Sequence, residues 1–169
     1  MESTDTPQPS APFDDASVDL SRGRILIVDD NLQNLELLQA YLEDLDCPLL
    51  TAGDGIEALG IIDRDDIDLV LLDVMMPRMS GFEVCKKIKS DPATRDISIL
   101  MVTALNEVGD IERGVECGTD DFLSKPVKKL ELLTRVKSLL RVRLLKRELD
   151  RTREALNEKN EPDSLSGDV

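Results

Sequence analysis

Apolar and polar positions along the middle of the chain alternate between two periods. Short unbroken aliphatic runs give way to stretches with helical spacing, and this happens five times. "RILIVDD" (24–30) is a compact aliphatic run, read as the first strand. In "NLQNLELLQAYLEDLD" (31–46) apolar residues stand at 32, 35, 38, 42 and 45, the spacing of one helix face, and Asn31 is placed to cap it. "PLLTA" predicts a second strand and "GDGIEALGIID" a short second helix. "DLVLLD" predicts the third strand, and a third helix is expected from about Ser80 through "GFEVCKKIKS". After the turn-rich "DPATRD" come a fourth strand, "ISILMVTA" (97–104), and a helix, "EVGDIERGVECG", weakened by Gly109 and Gly114. "DDFLSKP" gives a short fifth strand, followed by a long helix from about Val127.

Strands that are continuously aliphatic, rather than alternating, indicate a parallel sheet covered on both faces. Five βα units are too few for an eight-fold barrel, so an open, doubly wound α/β sheet remains. No internal repeat is present. Residues 1–22 are rich in Ser, Thr, Pro and Asp and are expected to form a disordered tail, as are residues 160–169. The globular unit is expected over 23–140, with 141–159 as a helical extension of the last helix.

Bulk properties narrow the function. The 169 residues suit one domain plus tails, and the net charge of −14 argues against nucleic acid or an anionic membrane as the general partner. Three scattered cysteines and no histidine exclude a zinc site of the usual kind and suit a reduced, cytoplasmic setting. The N-terminus shows no signal-peptide pattern, and no run approaches the ~18 apolar residues of a membrane span.

Chemistry gathers at the strand ends. The first strand ends in Asp29 and Asp30, the third in Asp73, the fourth in Thr103 and the fifth in Lys125. Open α/β sheets bind ligands beyond the carboxyl ends of their strands, so these five groups converge on one edge. Three carboxylates there repel one another, and a hard divalent cation such as Mg²⁺ relieves that. One carboxylate can then attack phosphorus, with the cation, the Lys125 ammonium and the Thr103 hydroxyl stabilising the phosphoryl oxygens. A phosphohistidine donor would have to be another protein. A P-loop (GxxxxGK[ST]) and a GxGxxG loop are both absent, and an aspartyl phosphatase would usually carry DxD where this chain has DD. Singly, each residue has an ordinary explanation: an acid that caps a strand or faces a helix N-terminus, a β-branched strand threonine, a core phenylalanine at Phe122.

In combination, "VDD" (28–30), "LLDVMMPRMSGFE" (71–83), "MVTA" (101–104) and "GTDDFLSKP" (118–126) resemble the receiver domains of two-component response regulators, over about residues 24–140. The resemblance implies a flavodoxin-like sheet of order 2-1-3-4-5. It implies that Asp73 is the phosphoacceptor and that Asp29, Asp30, Asp73 and the backbone carbonyl of Met75 hold Mg²⁺ or Mn²⁺. Lys125 and Thr103 would contact the phosphoryl group and, with Asp73, carry the transfer. Phe122 would be the switch aromatic, turning inward on phosphorylation. Lys125–Pro126 would be a cis peptide, and Pro77 and Gly81 would shape the loop after the acceptor. Such a protein is a switch rather than an enzyme: it catalyses only its own phosphorylation and slow dephosphorylation. Its expected partners are a histidine kinase or histidine phosphotransfer protein and a downstream effector, addressed through the face of the fourth helix, fifth strand and last helix. The alternative is a receiver-like scaffold or dimerisation module without a phosphorylation cycle.

Two further expectations concern this chain alone. Met75 and Leu105, two residues beyond the acceptor and the threonine, are apolar and cannot orient a water, so self-hydrolysis should be slow. Apolar residues at 142, 145, 149 and 156, with Thr152 interrupting, form a broken heptad that could pair two chains into a homodimeric stalk. The six basic residues between Arg141 and Arg153 are interrupted by Glu148 and Asp150, which weighs against a nucleic-acid role.

Overall fold

The structure, a computed structural model, describes residues 18–104 and 108–160. Five strands, β1 (Ile25–Val28), β2 (Leu49–Ala52), β3 (Leu69–Asp73), β4 (Ser98–Thr103) and β5 (Asp121–Ser124), alternate with α1 (Leu32–Leu42), α2 (Gly55–Arg64), α3 (Gly81–Ser90), α4 (Val108–Cys117) and α5 (Lys129–Asn160). All strand pairs are parallel and the order is β2-β1-β3-β4-β5, as the resemblance implied.

Two apolar layers bury the sheet. α2, α3 and α4 cover one face through Ile61, Val84 and Ile88 among others, against Leu26, Val70, Leu72, Ile99 and Met101. α1 and α5 cover the other through Leu35, Leu38, Leu42, Leu132, Val136 and Leu140, against Ile25, Ile27, Leu69, Leu71 and Val102. Neighbouring strand residues thus point to opposite layers, and both layers are apolar. That is why the strands read as unbroken aliphatic runs.

Local chemistry sets the helix starts. The Asn31 side chain accepts from the backbone N–H of Gln33 at 2.9 Å and of Asn34 at 3.3 Å. Ser80 and Glu83 form a reciprocal capping box at α3. Two expectations need correction. Leu32, placed by spacing on the core face of α1, is the first residue of the helix and is exposed; the regular helix stops at Leu42 and a 3₁₀ turn (Glu43–Leu45) carries Leu45 into the core. Met75 is also exposed, whereas Met76 and Met79 pack on the core. Leu20–Arg22, read as tail, form a 3₁₀ turn capped by Asp19, and the Leu20 carbonyl accepts from the Cys47 thiol at 3.0 Å. The three cysteines are buried.

α5 runs unbroken well past the sheet. Its extension is tied down at the amino edge of β3: Arg147 Nη1 donates to Asp68 Oδ1 at 2.7 Å, Arg143 Nε lies 3.5 Å from the same oxygen, and Lys146 pairs with Asp96. Val142, Leu145, Leu149 and Leu156 remain exposed.

Candidate functional site

The carboxyl ends of β1 and β3 bring three acids together. Asp29 directly follows β1, its backbone N–H bonded to the Ala52 carbonyl; Asp30 is next, and Asp73 ends β3. One oxygen from each of Asp29, Asp30 and Asp73 lies within 4.8 Å of the others. Asp29 and Asp73 are buried, and Asp30 is exposed at the mouth. Lys125, just past β5, reaches across: its Nζ is 3.1 Å from Asp29 Oδ2 and 3.4 Å from Asp73 Oδ1.

Asp29 is held from both sides. Its Oδ1 accepts from the backbone N–H of Asn31 at 2.9 Å and its Oδ2 from Asn34 Nδ2 at 3.2 Å. Sequence reasoning had not given Asn34 a role; its place one turn into the helix after the acidic pair is the signal that could have found it. Asp73 is less well compensated. Burial pushes its carboxyl above the usual carboxylate range, the Asp29 charge pushes the same way, and Lys125 and a backbone hydrogen bond from Met75 oppose them.

The loop after Asp73 returns sharply. The Gly81 N–H donates to the Val74 carbonyl at 2.9 Å, and a Cβ on Gly81 would stand 2.2 Å from the Asp73 carbonyl oxygen. Only glycine lets α3 start this close to β3. Thr103 is buried at the end of β4, and its carbonyl accepts from the Lys125 N–H at 2.9 Å. Lys125–Pro126 is cis. Phe122 is half-buried on β5, packed against the apolar layer beneath α4. Leu105 lies outside the described residues.

The family model described as "Response regulator receiver domain" matches residues 25–137. The chain belongs to the response regulator receiver domain family. It is 49% identical over 132 residues to "Response regulator PleD" of Caulobacter vibrioides, covering 78% of this chain and 29% of that protein. It is 40% identical over 118 residues to the "DNA-binding dual master transcriptional regulator RpaA" of Synechocystis, covering 70% of this chain and 49% of that one. The receiver thus spans about half or less of these relatives' length. Among solved structures it resembles a CheY-like receiver domain protein from Methanospirillum hungatei (28% identity, TM-score 0.69, 75% of this chain and 99% of that chain). A second is a response regulator from Chloroflexus aurantiacus (34% identity, TM-score 0.67, 70% and 98%). A two-component phosphoacceptor function follows from this membership, and the scaffold alternative draws no support from these relatives.

The donor set of this receiver also suits a divalent cation. Three carboxylates and one ammonium leave two negative charges around closely grouped, hard oxygen atoms, the ligand type that Mg²⁺ takes.

Proposed function

We propose that Asp73 is the phosphoacceptor and that Asp29, Asp30, Asp73 and the Met75 carbonyl hold Mg²⁺ or Mn²⁺. The observation that carries this reading is the Lys125 ammonium set between Asp29 and Asp73 in the acidic pocket. A bound divalent cation supplies charge neutralisation on the phosphoryl oxygens. The chain's own residues do the rest. A carboxylate oxygen of Asp73 bonds to phosphorus as the P–N bond of a phosphohistidine donor breaks, and the electron pair leaves with the imidazole nitrogen. Lys125 moves from the carboxylates to the new phosphoryl oxygens, and the Thr103 hydroxyl hydrogen-bonds to them. Phe122 then reports the change to the α4–β5–α5 face, where a downstream protein reads it. The donor is a histidine kinase or a histidine phosphotransfer protein, and the setting is cytoplasmic. The net charge of −14 speaks against nucleic acid, and three of the extension's basic residues, Arg143, Lys146 and Arg147, are already engaged by acids of the same chain.

The exposed seam on α5 favours a second element of the reading, pairing with another copy. Val142, Leu145, Leu149, Thr152 and Leu156 occupy successive seam positions. In a parallel register Glu148 then faces Arg153 of the second copy, an attractive flanking pair.

Phosphotransfer from a phosphorylated histidine phosphotransfer domain tests the site. Asp30→Asn should remove most of the Mg²⁺ dependence, and the wild-type phosphoryl group should persist for minutes or longer. Undiminished Mg²⁺-dependent transfer in Asp30→Asn would remove that residue from the metal site, and a half-life of seconds would remove the slow-hydrolysis reading. Light scattering on the same samples reads the stalk: a monomer mass at every concentration, phosphorylated or not, contradicts it.

A further inference from the structure

α4 and β5 share a steric fit that the phosphoryl chemistry does not use. Gly114 is buried in the interior of α4. A Cβ built on it would stand 1.9 Å from Phe122 Cζ, 2.5 Å from Cε1 and 3.1 Å from Cε2. The Phe122 ring therefore occupies the space that any other side chain at position 114 would need. Among the described residues, a Cβ on Gly109, in the same helix, would meet nothing within 4 Å. Glycine inside a helix weakens it relative to alanine, because its backbone loses more freedom on folding. At Gly109 that weakness has no steric counterpart; at Gly114 it does.

The backbones on either side of this contact are held. The Arg113 guanidinium lies 4.6 Å from the ring centroid of Phe82 on α3, and the Cys85 thiol donates to the Cys117 carbonyl at 3.4 Å. Phe122 is fixed in the sheet opposite Met101. With α4 pinned on α3 and β5 pinned on β4, the softest coordinate is rotation of the Phe122 side chain to another staggered well.

We propose that Gly114 is the seat of the Phe122 ring: the missing Cβ lets the aromatic lie against α4, and any side chain there turns the ring out to solvent. This makes Gly114 a positioning residue for the switch, and the proposal rests on the reading of Phe122 as the switch aromatic. Nothing in it touches the acidic pocket, so phosphoryl uptake should be spared.

The test uses the full chain with ¹³C-labelled phenylalanine, of which there are three, Phe13, Phe82 and Phe122. Loss of one ring signal in Phe122→Leu assigns the resonance. Broadening by a soluble gadolinium chelate then reads its exposure. Wild type and Gly109→Ala should show a protected Phe122 ring. Gly114→Ala should broaden it several-fold, with phosphate uptake from acetyl phosphate and Mg²⁺ within about twofold of wild type. An equally protected ring in Gly114→Ala overturns the proposal. Melting curves guard against a folding artefact: Gly114→Ala should lower Tm in the wild-type background and raise it in Phe122→Ala, where the clash is gone. A rise in both backgrounds also overturns it. If Gly114→Ala exposes the ring but phosphorylation of the wild type leaves Phe122 unchanged, the seat stands and the switch reading fails.

Discussion

β3 begins beside one buried acid and ends on another, and the two are treated in opposite ways. Asp68, at the amino edge, takes a hydrogen bond from the backbone N–H of Arg24 at 2.9 Å and one from Arg147 at 2.7 Å, with Arg143 close by. Its charge is more than matched. Asp73, at the carboxyl edge, shares the Lys125 ammonium with Asp29 and is pushed toward its neutral form by burial and by that neighbour. Burial of a carboxylate is thus no mark of chemistry in itself. Incomplete compensation is: the well-paired acid holds the α5 extension in place, and the under-paired one is, on the proposed reading, left to accept a cation and a phosphoryl group.

The largest effect that would break this contrast lies at the carboxyl edge. Lys125→Ala should slow phosphorylation by about 100-fold or more, since it removes a preorganised positive charge from the transition state. Stopped-flow phosphorylation with a small phosphodonor measures it, and a rate near wild type would put Lys125 outside the chemistry. Next comes the amino edge. Asp68→Ala strands two arginines against the domain and should destabilise it by about 3 kcal/mol in urea unfolding, with the extension newly open to proteolysis after its arginines. Phosphate uptake at the other end of the strand should remain. Smallest is an effect of opposite sign. Asp73→Asn should raise the Tm of the metal-free protein by a few degrees at pH 7. The sign follows from the raised carboxyl of Asp73: the folded state prefers the neutral acid, so its charge costs stability above the folded pKa. That cost disappears as pH falls below the ordinary Asp value of 3.8, and the advantage of Asp73→Asn should shrink with it. A gain independent of pH would mean that charge is not the cause.

The residues of the proposed site were legible as a group because each sits at a strand end, where a change from aliphatic to polar is plain in a single sequence. Asn31 and Ser80 were legible for a similar reason, since a cap and the amide it satisfies are two or three residues apart. What the sequence concealed depends on distance along the chain. Asp68 meets Arg147 across 79 positions, and no local pattern announces that pair. The same arginines read as a basic stretch when taken alone. Helical spacing put Leu32 on the core face of α1, yet spacing alone cannot tell which residues of that face the tertiary packing covers. Gly114 read as a helix-weakening residue; only the ring of Phe122 beside it gives that weakness a use.

The most direct test of the central claim is intact mass after incubation with Mg²⁺ and acetyl phosphate, wild type beside Asp73→Asn. The account predicts one added phosphate on the wild type, dependent on Mg²⁺, and none on Asp73→Asn. An unchanged mass for the wild type, or the same phosphate on Asp73→Asn, would contradict it.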